Sequence, residues 1–317
     1  MNQRPRKRYS TGAKLLWWLS AQAVRGFIFL IGICPACLFP PLGTVLGLCG
    51  FYLLVGRQRI GVDNVRTAFG ETMSRKEARA LVKKNFQNTA RDFIEMVACC
   101  DTDHQVALAN SILVHGKEHL DKALAKGKGV ILVSAHLGNF PIIGVKLASL
   151  GYSPRLIYKE PKNIYLVGRA KQWMDQVGIG VIPYKPRRRC ALEIIKELKN
   201  NGIIILLIDQ NPRKKDGVYV EFFGQAVPTY RGPVVMAVRA GAAIVPLFIH
   251  RNRDNREVIT ILPELALKRS PDLDRDIIDN LRVINALYEK WIVQHPDQWW
   301  WVHRRFRRAR TLNADDG

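Results

Sequence analysis

The sequence predicts an α/β fold: a mixed, largely parallel sheet flanked by helices, with an N-terminal hydrophobic membrane anchor. Three observations support this prediction. After residue 120, short apolar and β-branched runs alternate with helical segments. A long uncharged stretch precedes that alternation, and hydrophobic residues make up 48% of the 317 residues, enough for a sizeable core. We therefore divide the chain into a basic leader with an anchor, residues 1–56, and an α/β domain, residues 57–317.

The N-terminal segment combines basic residues with a long apolar run. The leader carries Arg4, Arg6, Lys7, Arg8 and Lys14, whereas residues 27–55 carry no charge. This run is long enough to cross hydrocarbon, and Pro40-Pro41 is expected to break it near its middle. Because no small-residue cleavage site follows, we expect a retained anchor rather than a signal peptide. Basic residues flank both ends, so a single span and a re-entrant helix both remain open, with a buried core hairpin as the third alternative.

The remainder begins with a helix and continues with alternating elements. Ser74 and Glu77 have the spacing of a capping box, and apolar residues follow at helical intervals to residue 98. The predicted strands are 130–133, 155–158, 181–184, 203–208, 243–249 and 258–262, and the predicted helices between them are 142–150, 164–177, 191–199 and 233–240. This succession is typical of βαβ units. Residues 274–295 are predicted to form a closing helix that Pro296 ends.

Two polar positions follow predicted strands. His136 lies on the turn after the first of these strands, and Asp209-Gln210 follows the strand 203–208. In an open α/β sheet the carboxyl ends of parallel strands form the edge that binds ligands, so these side chains are expected at one edge. An imidazole there suits a general base. The simpler alternatives are a histidine that caps a helix or packs under a loop, and an aspartate that caps a turn.

Two later segments have the features of binding surfaces. Residues 216–233 form a long stretch punctuated by Gly and Pro, in which Phe222 and Phe223 are expected to be exposed. Residues 299–308 interleave aromatic residues with arginines, including Arg304 and Arg305. That pattern suits phosphate recognition at a membrane interface or on nucleic acid, and a solvated basic tail is the alternative.

The net charge of +22 favours an anionic partner: nucleic acid, an acidic membrane surface or an acidic carrier protein. Nucleic acid would leave the apolar anchor unexplained, and no helix-turn-helix, finger or RNA-binding signature is present, so we expect no nucleic-acid partner. The six cysteines show no repeated paired spacing, and Cys34-x-x-Cys37 lacks a second ligand pair, so they are interpreted as reduced thiols. His115 and His119 lack a third ligand nearby, so no metal is expected.

Several segments, in order, resemble those of the bacterial lipid A biosynthesis (late, or secondary) acyltransferases, within the wider lysophospholipid acyltransferase superfamily. They are RIGVDNVRTAF, GKEHLDKALAKGKGVILVSAHLGNF, DQNPRKKDGVYVEFFG, AGAAIVP and PDQWWWVHRRFRR. The resemblance covers about residues 57–308 and a similar anchor. It implies an enzyme of the cell inner membrane, facing the cytoplasm, that moves a fatty acyl group from acyl carrier protein to a hydroxyl of a lipid A precursor or related anionic glycolipid. The donor is a phosphopantetheine thioester, and no cofactor is implied.

The chain departs from the family pattern at one position. In the family pattern a His is followed by four residues and then by an Asp or Glu. In this chain the fifth position after His136 is Pro141. In a serine hydrolase, loss of the orienting acid can cost about ten-thousandfold in rate. Another carboxylate can replace it, and the candidates are Asp209, Glu160, Asp92 and Glu95. Otherwise the protein is a slow enzyme or binds glycolipid without catalysis.

The expected chemistry is direct acyl transfer. His136 takes the proton from the acceptor hydroxyl, and backbone N–H groups around Gly138 and Asn139, or a nearby basic side chain, hold the oxyanion. Lys159 stands where the resemblance suggests Arg, which keeps the charge but loses bidentate geometry. The other expected binding residues are Gln210, Phe222, Phe223, Arg304 and Arg305. The alternative function is a catalytically impaired or noncatalytic glycolipid-binding membrane protein.

Overall fold

A computed structural model of the chain describes residues 10–213 and 216–310. Its strands are β1 Leu113–His115, β2 Val130–Ser134, β3 Pro154–Tyr158, β4 Gly180–Pro183, β5 Ile203–Leu207, β6 Gly217–Phe222, β7 Gln225–Tyr230, β8 Ala243–Arg251 and β9 Glu257–Ile261. Within the described residues, seven strands form one sheet in the order β1-β9-β8-β2-β5-β3-β4. Only the β8–β9 pair of this sheet is antiparallel. The predicted mixed, largely parallel sheet is therefore confirmed.

Helices cover both faces of this sheet. They are α1 Thr11–Gly32, α2 Phe39–Leu53, α3 Val55–Phe69, α4 Arg75–Ala98, α5 Thr102–Ser111, α6 Lys117–Leu124, α7 Ile143–Ser149, α8 Ile164–Gln176, α9 Arg187–Lys199, α10 Gly232–Ala240 and α11 Leu273–Gln294. α4 begins at the predicted capping box, in which Ser74 and Glu77 exchange backbone-to-side-chain hydrogen bonds. The predicted strands and helices are all present, within a few residues at each end.

The central strands are buried on both faces, which explains their continuous apolar sequence. Every residue of β2 is buried. Ile131 and Val133 pack into a core shared with α10 and α11, whereas Val130 and Leu132 pack into a second core with α6 and α7. A side chain of this size contributes about 1.5–3 kcal/mol when fully buried. The polar residues that follow these strands therefore stand on a rigid support.

Three strands, β1, β6 and β7, and three helices, α3, α5 and α6, were not predicted. β1 is three residues long and leaves too short an apolar pattern to detect. β6 and β7 form an antiparallel hairpin within the stretch that was predicted to be a long loop. The prediction of a loop is wrong because Gly and Pro are compatible with pairing here. Gly224 supplies the positive φ of the turn, Gly217 pairs with Tyr230, and Pro228 lies opposite Tyr219.

Two N-terminal helices are long and apolar enough to cross a membrane: Thr11–Gly32 and Ala36–Leu53. The chain breaks between them at residues 33–35, so the predicted break at Pro40-Pro41 is wrong. Those prolines lie in the first turn of α2, where a missing N–H removes no helical hydrogen bond. Large apolar side chains such as Phe29 and Leu53 are exposed, which favours contact with lipid. The basic residues at positions 4–8 lie outside the described residues.

α2 packs closely against α4. A Cβ added at Gly43 would lie 2.8 Å from Cα of Arg91, and one added at Gly47 would lie 2.3 Å from Cα of Gln87. Phe51, at the end of α2, is buried in the same core as the sheet. Small residues four apart thus let two helix backbones meet. The domain boundary at residue 56 stays a prediction, and the two predicted parts share one packed core.

Candidate active site

His136 and Asp209 meet at the carboxyl edge of the sheet. β2 and β5 are adjacent and parallel, with Ser134 opposite Leu207, and each of the two polar residues follows its strand at the same offset. Nδ1 of His136 lies 2.6 Å from Oδ1 of Asp209, and the backbone N–H of His136 donates to Oδ2 at 2.9 Å. Of the four candidate carboxylates, Asp209 is the one that contacts His136 in the described part of the chain.

Asp209 is held as a buried carboxylate, with a relative exposure of 1%. Burial raises the pKa of Asp209, but the electrostatic interaction with His136 and hydrogen bonds from His136 and the Trp299 indole outweigh this, so the pKa lies below its ordinary value. An ionised Asp209 accepts a hydrogen bond from Nδ1–H of His136. Nε2 of the same ring then carries the lone pair that a general base requires.

The His136 ring faces a cavity of about 1740 Å³. Its side chain is 18% exposed, and the Phe140 ring packs against it at a centroid distance of 4.7 Å and an interplanar angle of 66°. Pro141 lies in a 3₁₀ turn, Phe140–Ile142, and also lines the cavity. The position of the family acid is thus part of the cavity wall, while Asp209 contacts Nδ1 of the imidazole.

The cavity wall is apolar in some places and cationic in others. Apolar lining residues from α2, α4, β5 and α9 include Leu46, Phe86, Phe93, Met96, Leu206 and Ile194. The lining cations are Arg57, Lys159, Arg187, Arg213 and Arg231. Two of them have acidic partners: Arg187 binds Asp216, and Arg231 lies 3.6 Å from Asp274. Such a wall suits a ligand with hydrocarbon chains and an anionic head.

Three of the predicted binding residues line this cavity: Gly138, Lys159 and Gln210. Gly138 has φ of +53°, and an added Cβ would lie 2.7 Å from the carbonyl oxygen of Ile249, so glycine is required. Its N–H donates to the carbonyl of Gln298 at 3.0 Å. The expectation that this N–H holds the oxyanion is therefore corrected.

Asn139 lies beneath the cavity wall. It is fully buried, and its Nδ2 donates to Oε2 of Glu95 at 2.9 Å. The same carboxylate accepts a hydrogen bond from Arg251 at 2.7 Å. The Asn139 side chain therefore fixes the His136 turn to α4 and lies outside the cavity lining, whereas the expected role of its backbone N–H stays a prediction.

Phe222 and Arg305 lie in the protein interior and contact each other. Both are fully buried, with the guanidinium 5.0 Å from the ring centroid. Arg305 donates to the carbonyl of Pro228 at 2.5 Å and to Oγ1 of Thr229 at 2.9 Å. The predictions that Phe222 is exposed and that Arg305 binds substrate are wrong, because these contacts join the C-terminal segment to the β6–β7 hairpin.

Phe223 and Arg304 also lie away from the cavity lining. Phe223 is half-buried at the hairpin turn, where its ring packs 6.0 Å from that of Phe69. This contact corrects its predicted exposure. Arg304 is exposed, and its carbonyl accepts a hydrogen bond from Asn211.

The other candidate carboxylates lie elsewhere. Asp92, Glu95 and Glu257 place their ligand atoms within 4.8 Å of one another, as a metal site would. Nη2 of Arg251 contacts all three, so an internal cation already supplies the positive charge. Burial raises the pKa of Asp92 to about 7 and that of Glu257 to about 8. Glu160 is exposed.

The C-terminal segment completes the site in a way that the sequence reasoning missed. The Trp299 indole donates to Oδ2 of Asp209 at 2.7 Å, and the N–H of Trp300 donates to the carbonyl of His136 at 2.9 Å. Asn85 on α4 holds the carbonyl of Trp299 at 2.8 Å. Arg57 and His303 were missed as cavity-lining residues. One signal in the sequence could have revealed this contact. Asn85 is a buried residue of α4, and a buried asparagine requires a hydrogen-bond partner.

Residues 7–308 match the family described as "Bacterial lipid A biosynthesis acyltransferase". The chain is 26% identical over 300 residues to the lipid A biosynthesis lauroyltransferase of Escherichia coli (strain K12), with 92% of each chain covered. It is 24% identical over 273 residues to the palmitoleoyltransferase of the same strain, with 84% of each covered. It is also 26% identical over 225 residues to the phosphatidylinositol mannoside acyltransferase of Mycolicibacterium smegmatis, covering 69% of this chain and 70% of that protein. The motifs, the sheet and the match over nearly the whole chain agree, and the chain belongs to the bacterial lipid A biosynthesis acyltransferase family.

Proposed function

We propose that this acyltransferase moves a fatty acyl group from the thioester of acyl carrier protein to a hydroxyl of a lipid A precursor or related anionic glycolipid. The observation that carries the proposal is the hydrogen-bonded pair of His136 and Asp209 on the wall of a cavity that is both apolar and cationic. In this proposal His136 is the general base, and Asp209 holds its tautomer and stabilises the imidazolium that forms.

The reaction needs no covalent enzyme intermediate. Nε2 of His136 takes the proton of the acceptor hydroxyl as the oxygen attacks the thioester carbonyl. The tetrahedral intermediate then collapses, the carbon–sulfur bond breaks, and the imidazolium returns the proton to the phosphopantetheine thiolate. The products are an ester and a free thiol, and the enzyme returns to its starting protonation state.

The cavity wall supports the proposed substrate class. Lys159 and Arg213 have no carboxylate partner among the described residues, and both line the cavity with Arg57. Unpaired cations next to an apolar wall favour an anionic head group attached to hydrocarbon. The apolar residues of α2 in the same wall, such as Leu46, connect the cavity to the predicted anchor.

We also propose a cell inner membrane location with the catalytic domain facing the cytoplasm, where acyl carrier protein is available. The two apolar N-terminal helices and their exposed side chains support membrane association. Protease treatment of right-side-out and inverted inner-membrane vesicles tests the orientation. Cleavage of the α/β domain is expected only in inverted vesicles, and cleavage in right-side-out vesicles alone would reverse the assignment.

The test of function uses purified full-length protein in detergent. Lauroyl and palmitoleoyl carrier-protein thioesters serve as donors, with a lipid A precursor or a phosphatidylinositol mannoside as the acceptor. We expect the acceptor mass to rise by one acyl group and the His136→Ala variant to lose this product. The control, His295→Ala, alters a partly buried histidine outside the cavity lining and should retain it. Glycolipid binding without an acylated product would favour the noncatalytic alternative.

A further inference from the structure

Acyl transfer in the cavity requires a hydrogen-bond donor for the oxygen of the tetrahedral intermediate. Removal of one such donor typically lowers kcat by about 10²–10³-fold. The N–H of Gly138, beside His136, is occupied by the carbonyl of Gln298. Another donor on the cavity wall can therefore face the thioester oxygen, and the inference that follows rests on the proposed function.

His303 is in a suitable position for that donor. Its side chain lines the same cavity as His136, and two backbone hydrogen bonds connect the residues. The N–H of Trp300 donates to the carbonyl of His136 at 2.9 Å, and the N–H of His303 donates to the carbonyl of Trp300 at 3.3 Å. Nδ2 of the buried Asn64 donates to the carbonyl of His303 at 2.5 Å. The backbone of His303 is thus fixed next to the His136 turn.

The two ring nitrogens of His303 differ in their surroundings. Among the described residues, Nδ1 of His303 is buried without a hydrogen-bond partner, whereas Nε2 does not belong to these buried, unpartnered atoms. A buried N–H without an acceptor is rarer than a buried acceptor without a donor. The neutral ring therefore carries its proton on Nε2, which leaves an N–H available to a ligand in the cavity.

The His303 imidazole is neutral at physiological pH. Burial lowers its pKa to about 4, Asp209 opposes this shift, and the charges of His136, Arg305 and Arg57 add to it. A ring with this pKa is a poor base, and it does not compete with His136 for the hydroxyl proton. A neutral imidazole can instead polarise a carbonyl by donating a hydrogen bond.

We propose that Nε2–H of His303 donates a hydrogen bond to the thioester carbonyl oxygen as that oxygen becomes an oxyanion. The two cavity histidines then have complementary roles: His136 receives a proton, and His303 keeps its proton and stabilises charge. No proton moves through His303 during the cycle.

The first test compares His303→Ala and His303→Gln in the full-length protein. The alanine variant should lower kcat by about 10²–10³-fold, with KM for donor and acceptor changed only a few-fold. The glutamine variant keeps an N–H donor and should recover at least about tenfold of the loss. His295→Ala is the control for removal of a partly buried imidazole outside the cavity lining. Unchanged kcat in His303→Ala, a loss confined to KM, or a glutamine variant no better than alanine would overturn the proposal.

A second measurement tests the hydrogen bond from His303 without depending on which glycolipid is the acceptor. The infrared carbonyl stretch of a ¹³C-labelled acyl carrier thioester is measured on His136→Ala protein, with and without the additional His303→Ala change. A shift to lower frequency that disappears in the double variant is expected, and equal frequencies would refute the hydrogen bond. If the wild-type protein acylates neither glycolipid, the proposed function fails, whereas this shift still reports on His303.

Discussion

Trp299 and Asp209, distant in sequence, are joined by a buried hydrogen bond of 2.7 Å from the indole N–H to Oδ2. The same oxygen accepts the backbone N–H of His136, and Oδ1 faces Nδ1 of its ring. The carboxylate is therefore oriented by three donors, and its plane is fixed relative to the imidazole.

Asp209→Asn should reduce kcat by about 10⁴-fold, because an amide at this position can donate to Nδ1 and favours the wrong tautomer of His136. Glycolipid binding, measured by equilibrium titration, should change only a few-fold. Asp279→Asn is the matched control, since Asp279 is a surface partner of Lys268 and Arg282. A larger loss in Asp92→Asn or Glu95→Gln would identify a different acid.

Trp299→Phe retains a buried aromatic ring and removes one donor from Asp209. Because that hydrogen bond lowers the pKa of Asp209, its loss raises this pKa. Activity requires the ionised carboxylate and falls as pH decreases through the pKa, so the acid limb of the kcat/KM profile should move to higher pH. Trp301→Phe, whose indole donates to the carbonyl of Pro296, should lower the Tm without moving that limb. An unmoved limb in Trp299→Phe would contradict the assignment.

Pro141→Glu should leave kcat unchanged or lower it. Asp209 already occupies Nδ1 of His136, and a new carboxylate on the cavity wall would repel an anionic substrate. The measurement is steady-state acyl transfer with the wild-type protein in parallel. A tenfold or greater rise would show that Asp209 alone does not orient the base.

Gly47→Leu should destabilise the protein by about 1–3 kcal/mol or more, because a side chain there meets the backbone of α4. Gly26→Leu is the control, since a Cβ at Gly26 meets nothing within 4 Å and both glycines lie in apolar N-terminal helices. Thermal unfolding in detergent should show a lower Tm only for the first variant. Equal Tm values would show that the contact between α2 and α4 contributes little.

The buried carboxylates around Arg251 predict a pH dependence of stability. Burial raises the pKa of Glu257 from its ordinary 4.5 to about 8, so in this range the folded state binds more protons than the unfolded state. The free energy of unfolding should therefore fall as pH rises through this window. Glu257→Gln should flatten the slope, whereas Glu264→Gln, a partner of Lys126 on the surface, should not. Equal slopes would place the ionised form of Glu257 in the folded protein.

Asp209 could be named from the sequence as one of four candidate partners of His136. The order of the predicted strands, and the polar residues that follow them, were enough for this prediction. Two buried apolar runs indicated strands of one sheet, and if these are parallel the polar residues after them share an edge. The roles of Phe222 and Arg305 could not be read in this way. Whether an aromatic or a guanidinium is exposed depends on tertiary contacts, here between the hairpin and the C-terminal segment.

The same limit explains why Trp299 and His303 were assigned to a binding tail. Their sequence pattern of aromatics and arginines is equally compatible with a solvated surface and with a buried strap. The polar residues that hold the segment, Asn64 and Asn85, lie on distant helices. Nothing local to the segment indicates these partners, because each hydrogen bond joins residues more than two hundred positions apart.

The dependence of Asp209 and His136 on residues 299–300 also bears on biosynthesis. A ribosome delivers α1 and α2 first, so these helices can enter the lipid bilayer while translation continues. The carboxylate and the imidazole acquire their indole and amide partners only after the chain has been made past Trp300. We therefore expect the nascent chain to reach the membrane before its site is complete, and a chain released before Trp300 to be inactive.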